Sequence, residues 1–346
     1  MSDSTRRGRS LKSGSGSAPS PDAPEDLIST AVDTSSKPVR RPGDRIFRGL
    51  SAGSGTFVVI LIGAIGLFLL LQAIPSLAAN QSSFLFSGDW NASNPDDLRF
   101  GILYLLYTTV SVSLLALVIA MPISLGIAMF LTQYAPKSLA RAFAYIVDLL
   151  AAVPSVIFGL WGVQVIGPAM VPFAEWLNEN LSFIPIFEQG NVSIAGAGNI
   201  FTAGVVVAVM LLPIITAISR EVFERTPREQ IEGALALGAT QWEVVRTTVW
   251  PFGKSGYVSA SMLGLGRALG ETVALYLILS STASSPTFSV FDGGATIASR
   301  IAAASSEFSN PLSIGAYIAA GLVLFVLTFL VNAMARSIVG GKKERS

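Results

Sequence analysis

The sequence predicts an all-α, polytopic membrane protein with six transmembrane helices. Apolar residues make up 51% of the chain and charged residues only 13%, too few to coat a soluble surface. Six apolar stretches approach the ~20 helical residues needed to cross a hydrocarbon core. The basic residues fall almost entirely on one side of those stretches. Cys and His are absent, which excludes disulfides, thiolate and imidazole metal sites, and Ser-His or Cys-His catalysis. No clustered acidic motif appears, so no catalytic residue, metal or resident cofactor is expected in this chain. A net charge of +1 gives no sign of a nucleic-acid partner.

Residues 1–42 are rich in Ser, Pro, Gly and charge and poor in aromatics. A disordered cytoplasmic tail is expected over 1–45, with the membrane domain at 46–346. No apolar core precedes about residue 56, so the first span reads as an uncleaved anchor. Spans are expected near 50–74, 100–131, 142–166, 197–219, 256–280 and 311–335. The second is long and holds Pro122, so it should overshoot the bilayer or kink.

Basic residues crowd the tail from Arg6 to Arg48. They recur at Lys137 and Arg141, from Arg220 to Lys254, and after span six from Arg336 to Arg345. Arg99 and Arg300 fall on the other side and Arg267 within a span, which places both termini in the cytoplasm. The tail's charge reads as a topology signal, with lipid or partner binding as the alternative. Asp148 lies a few residues inside span three, within reach of interfacial water. Val153-Pro154-Ser155 reads as a helix kink near the pathway. Ala295 to Phe308 has Ile297, Ile301 and Phe308 at near-helical spacing; a helix on the membrane surface is expected, with a plug in the outer mouth as the alternative.

The cytoplasmic loop 220–255 is built as a hook. Thr226-Pro227-Arg228-Glu229 reads as a capping box with Pro at the first helical position. Gly238 can stop this helix in a left-handed conformation. Thr240-Gln241-Trp242-Glu243 is a second capping box, and Pro251 should end the helix it begins. Two short helices joined at an angle at Gly238-Ala239 suit a cleft on a soluble partner. Ala234, Leu235, Ala236 and Leu237 would make the apolar contacts, with Glu232 and Arg246 as a polar rim. An ordinary inner loop without a partner is the alternative.

Span five carries Arg267 and Glu271, a helical turn apart. An arginine in a span costs about 2.5–3.5 kcal/mol on insertion scales, so it should face a wet cavity or a partner. Gly266 and Gly270 form a small-xxx-small face that admits a helix or a ligand to the backbone. Arginine is also the best side chain for bidentate oxyanion recognition. Mutual neutralisation of Arg267 and Glu271 is the structural alternative, in the poorer of the two orientations for such a pair.

Glu232-Gly233-Ala234, then Gly238 and Pro251 at their spacing, resemble the "EAA" loop of ABC importer permeases, which engages the ATPase subunit. Gly233, Thr248 and Trp250 depart from its consensus. Gly264-Leu265-Gly266-Arg267-Ala268-Leu269-Gly270-Glu271-Thr272 closely resembles a motif of phosphate-specific (Pst) ABC permeases. The run from Asp148 to Gly162 is similar to a second. Together they resemble the PstC type over roughly residues 45–340. The resemblance implies a type I ABC importer permease for inorganic phosphate in the cytoplasmic membrane. Its partners would be a PstA-like sister permease, a PstB-like ATPase dimer holding ATP and Mg, and a PstS-like extracytoplasmic phosphate-binding protein. The site residues it implies are Gly266, Arg267, Gly270, Glu271 and Thr272 for the substrate pathway. For ATPase coupling they are Glu232, Gly233, Ala234, Gly238 and Pro251. Gly253-Lys254-Ser255 mimics the end of a phosphate loop, but Thr248 stands where the first Gly belongs and no strand precedes it, so this chain should not hydrolyse ATP. A sulfate or molybdate permease, and a stand-alone channel or ion-coupled carrier, remain as alternatives.

Overall fold

The computed structural model describes residues 42–281, 285–304, 308 and 310–340. The tail expected to be disordered lies, up to Arg41, outside the described residues, as does Glu307. From Pro42 the chain is helical, and the apolar span within that helix starts at Ile46. The chain divides into a unit ending at Ile60 and a second running from Leu61 onward.

Helix α1 spans Pro42–Ala79. Beyond it a short hairpin pairs β1 (Trp90–Asn91) with β2 (Arg99–Phe100). Helix α2 (Leu103–Met129) runs on as a π turn over Phe130–Tyr134, passing straight through Pro122. At about 1.5 Å per residue, the 32 residues Leu103–Tyr134 are longer than a hydrocarbon core, the overshoot expected. Then come α3 (Lys137–Ala151), α4 (Ser155–Trp161), a π turn over Gly162–Ile166, and α5 (Gly167–Leu181). Helix α6 covers Ile200–Glu224, followed by the hook helices α7 (Arg228–Ala236) and α8 (Gln241–Val244). A π turn over Val245–Val249 leads into α9 (Trp250–Leu269), then α10 (Val273–Ile278), α11 (Ile297–Ala303) and α12 (Pro311–Gly340).

Five described helices are long and apolar enough to cross a membrane: Ile46–Ala79, Leu103–Tyr134, Ser155–Leu181, Ile194–Glu224 and Pro311–Ser337. Two expected spans come out differently. The third is not 142–166 but Ser155–Leu181, because Pro154 bars helical geometry at Val153 and splits the segment. What precedes the split, α3, is amphipathic, with Lys137, Arg141 and Asp148 along one side and Leu139, Phe143, Ile146 and Leu150 along another. Asp148 therefore sits outside the span, 3.9 Å from the Arg220 guanidinium. The fifth expected span is two helices, broken at Gly270–Thr272.

A third correction concerns α11. Rather than lying on the membrane surface, it is sunk into the bundle, with Ile297, Ala298 and Ser299 buried. A capping box between Thr296 and Ser299 starts it, and the Ile297 N–H donates to Thr109 Oγ1 at 3.0 Å, fixing it to α2.

The main core forms where α2, α6 and α9 meet, through Val112, Ala116, Val207, Leu211, Ile215 and Ala260 among others. Lipid is as apolar as these side chains, so close packing rather than water exclusion holds membrane helices together. Small residues make the approach possible. A Cβ on Gly256 would lie 2.6 Å from Val222 Cγ1, and one on Gly264 3.0 Å from Ile215 Cδ1. Tyr257 adds an O–H donated to the Met121 carbonyl at 2.9 Å, beside Pro122.

Gly256→Leu drives its side chain into Val222 and should destabilise the protein by about 1–3 kcal/mol. Gly266→Ala, whose added Cβ meets nothing within 4 Å, should leave stability unchanged. Thermal unfolding of the detergent-solubilised chain separates the two; equal midpoints would show that the α6–α9 seam is looser than this geometry.

Candidate functional site

The break in span five brings the pathway candidates together. Helix α9 ends at Leu269 and α10 starts at Val273, leaving Gly270, Glu271 and Thr272 between them. The Glu271 N–H donates to the Ala268 carbonyl at 3.2 Å. Its carboxylate Oε1 accepts the Ala274 N–H at 3.3 Å, and the Thr272 hydroxyl donates to the Gly270 carbonyl at 3.0 Å. Glu271 is 8% exposed, held inside the fold by this cap. Arg267 is exposed and makes no ion pair among the described residues, so the two charges do not neutralise each other here. Gly266 meets nothing within 4 Å and Gly270 only backbone oxygens of its own turn, so this face of α9 is open. The opposite face, with Gly264 and Ala268, is packed. A guanidinium beside bare backbone on an open face can receive an oxyanion.

The hook departs from expectation at two points. Pro227, not Thr226, occupies the N-cap position of α7, with φ −58° and ψ 129°. Its carbonyl accepts the N–H groups of Gln230 and Ile231. Thr226 is thereby displaced one residue outward, buried, and makes no capping bond; the first capping box does not form. Nor does Pro251 end a helix. The Trp250 N–H reaches back five residues to the Val245 carbonyl, and this wider turn accommodates the proline ring within a continuous helix from Gln241 to Leu269.

The rest of the hook forms as read. Gly238 has φ +86° and donates to the Leu235 carbonyl, while the Ala239 N–H reaches the Ala234 carbonyl, closing α7 as a Schellman motif. Thr240 and Glu243 cap α8 reciprocally. Ile231, Ala234 and Ala239 turn inward against the core, as do Val244 and Val249. Glu232, Leu235, Ala236 and Arg246 are exposed, with Leu237 at 90% and Trp242 at 64%. Ala234 thus supports the hook from behind, and Trp242 belongs to its outward face, a contact the sequence reading did not select. Gly233 has open space around it.

Asp292 was not singled out from sequence. It is fully buried. Oδ1 accepts the Asn191 N–H at 3.0 Å, the Thr287 N–H at 3.2 Å and the Thr287 hydroxyl at 2.9 Å. Oδ2 accepts the Ser289 N–H at 3.1 Å and the Tyr107 hydroxyl at 3.4 Å. The same loop caps α6, since the N–H groups of Ile200 and Phe201 donate to the Asp292 and Val290 carbonyls. It also holds the end of α10, through Gly294 N–H to the Ser280 carbonyl and Ser280 N–H to the Gly198 carbonyl. The signal available in the sequence was one acid beside Gly293-Gly294 in an uncharged loop. No group of acidic side chains suited to a metal ion occurs among the described residues.

Comparison with known proteins sets this geometry in a family. The family described as "Binding-protein-dependent transport system inner membrane component" matches residues 120–343. The chain is 58% identical over 312 residues to "Phosphate transport system permease protein PstC 2" of Mycobacterium tuberculosis, covering 90% of this chain and 95% of that one. It is 58% identical over 304 residues to the PstC phosphate permease protein of Mycobacterium leprae, covering 88% and 95%. The corresponding protein of Xylella fastidiosa is 38% identical over 298 residues, covering 85% and 89%. Among solved structures, an inward-facing MetNI methionine ABC transporter aligns at TM-score 0.51 and 18% identity, covering 69% of this chain and 97% of that one. A bacterial ABC transporter for import of the acidic polysaccharide alginate aligns at 0.50 and 16%, covering 85% and 99%. These two likenesses concern the fold alone.

The Thr240 backbone N–H and hydroxyl hold the Glu243 carboxyl below its ordinary range. A depressed carboxylate contributes stability above its unfolded value and loses it as pH falls through the folded one. The start of α8 should therefore fray in acid below the usual carboxylate range. In Thr240→Ala the Glu243 titration, followed by carboxyl NMR of the solubilised chain, should move up toward the ordinary value; an unmoved titration would mean the hydroxyl contributes nothing.

Proposed function

The chain belongs to the family of binding-protein-dependent transport system inner membrane components, and we propose that it is the permease subunit that carries inorganic phosphate across the cytoplasmic membrane in an ATP-driven importer. The observation that carries the mechanism is the broken fifth span, with exposed Arg267 on the open Gly266–Gly270 face. An arginine there offsets the charge of phosphate in transit. Glu271 uses Oε1 to cap α10, which leaves Oε2 to accept a hydrogen bond from a protonated phosphate. Sulfate at neutral pH offers no such donor, which favours phosphate over other oxyanions at this pair. Thr272, beside them, keeps its hydroxyl on the Gly270 carbonyl and shapes the turn.

The hook is the coupling element. Its capped helices present Glu232, Leu237 and Trp242 outward, a small apolar knob with a charged rim suited to a cleft on an ATPase subunit. ATP and Mg bind in that ATPase dimer. From Trp242 the helix continues without interruption to Arg267, about 37 Å at 1.5 Å per residue, so displacement of the hook is delivered to the pathway. A sister permease would cover the open face of α9, and an extracytoplasmic binding protein would supply phosphate at the other end. The one-sided distribution of Lys and Arg supports a reading with both termini in the cytoplasm. A stand-alone channel or carrier would leave this helical connection without a task.

Arg267→Gln should lower phosphate uptake by more than about tenfold while the complex still assembles, since a hydrogen bond to a charged group is worth ~1.5–3 kcal/mol. The swapped double variant, Arg267→Glu with Glu271→Arg, should not recover it, because the positive charge moves a helical turn away. Near-normal radiolabelled phosphate uptake by the swapped protein, in cells without other phosphate carriers, would sink the pathway assignment.

Gly238→Pro cannot adopt φ +86° and should uncouple ATP hydrolysis from uptake in the reconstituted complex. Normal coupled transport by that variant would show that the hook docks nothing.

A further inference from the structure

We propose that the extracytoplasmic end of this chain holds a second oxyanion site, built on Arg99 and Arg300, that takes up inorganic phosphate before it reaches Arg267. The proposal rests on the phosphate reading above. Charge placement puts only these two basic residues on the outer side of the membrane. Far apart in sequence, both line one cavity of about 560 Å3. The packing brings them together: Leu98 and Phe100, on either side of Arg99, share one core cluster with Ile301, the neighbour of Arg300.

Each guanidinium is aimed. Arg99 donates its Nε–H to Asp97 Oδ1 at 2.7 Å. Its two terminal nitrogens make no hydrogen bond or ion pair among the described residues, so the fork that suits an oxyanion is positioned but unused. Arg300 leaves the last turn of α11 and stands at the cavity wall, 6.0 Å from the centroid of the Trp90 ring. Asn191 and Ser281 add neutral hydrogen-bonding groups, and Asp89 adds an acceptor for the proton of a phosphate.

The wall is preformed. Asn191 is held by its N–H on Asp292 and by its side-chain oxygen, which accepts the Gly293 N–H at 2.8 Å. Gly294, at φ +139°, borders Thr108, where an added Cβ would stand 3.1 Å from Oγ1. Only glycine keeps that wall in place. Such rigidity removes the ordering cost of binding. Ser281 follows closely on α10, a helix about 9 Å long, so the cavity stands one short helix beyond the break. The cavity is wider than one phosphate ion, and the anion enters it partly hydrated.

The test uses the purified whole transporter in nanodiscs of phosphatidylcholine, without its binding protein, and radiolabelled inorganic phosphate. In an Arg267→Gln background the binding that remains reports the outer site. Adding Arg99→Gln and Arg300→Gln should weaken it at least tenfold, and Asp89→Asn should abolish its preference for phosphate over sulfate. Unchanged affinity in the triple variant, with phosphate uptake by cells carrying the wild-type transporter intact, overturns the outer site alone. Absence of phosphate uptake by the wild type, in cells without other phosphate carriers, overturns the phosphate reading and this site's ligand with it. Loss of phosphate binding when phosphatidylglycerol replaces phosphatidylcholine assigns the arginines to lipid headgroups and overturns the proposal. So does a variant that binds phosphate normally but loses its hold on the extracytoplasmic binding protein, because the arginines would then serve a carboxylate partner.

Discussion

Inside a bilayer no water is at hand to hydrogen-bond an orphaned backbone group, so each interruption of a helix must be closed by the chain itself. At Gly270–Thr272 the Glu271 N–H finds the Ala268 carbonyl, the Glu271 carboxylate takes the Ala274 N–H, and Thr272 donates to the Gly270 carbonyl. At the far end of span five, the Asp292 loop supplies carbonyls to the first amides of α6, and its Gly294 N–H donates to the Ser280 carbonyl. The break that exposes Arg267 is tolerable because both of its sides are satisfied in this way.

The second condition is asymmetry of packing. Along α9, Gly256, Ala260 and Gly264 are pressed against α6, where van der Waals contact substitutes for the hydrophobic effect that lipid cannot provide. On the other side Gly266 and Gly270 meet no side chain among the described residues. For the proposed pathway, a helix packed on both faces would offer no access, and one packed on neither would not hold Arg267 in register. The glycines are thus used twice on one helix, for closeness on one face and for access on the other.

Legibility of the sequence followed the range of the physics involved. Spans one, two, four and six were readable because apolar length is a local property, and Gly238 and the Thr240–Glu243 box were readable because caps are set by neighbours. The third span was misplaced because Pro154 lies inside an apolar run whose first part is amphipathic rather than buried. Thr226 failed as a cap because Pro227 claimed that position. Arg267 and Glu271 stood out as charges in an apolar segment, yet their separate environments, one exposed and one capping α10, depend on a break that hydropathy does not record. Asp292 and the burial of α11 were out of reach, since their partners Tyr107, Asn191 and Thr109 come from distant elements.

Proline is the residue at which local rules and this fold disagree most usefully. The three described π turns end one residue before the residue preceding a proline: Phe130–Tyr134 ahead of Pro136, Gly162–Ile166 ahead of Pro168, and Val245–Val249 ahead of Pro251. A π turn closes by reaching back five residues, which widens the coil and moves the preceding carbonyls away from the pyrrolidine ring. Read locally, Pro251 divides the hook from the membrane. With the π turn in place, hook and Arg267 lie on one helix. A proline stop would have needed a flexible joint between them, and force applied at Trp242 would have dissipated there; under the proposed coupling, the continuous helix makes the hook a lever whose other arm carries Arg267.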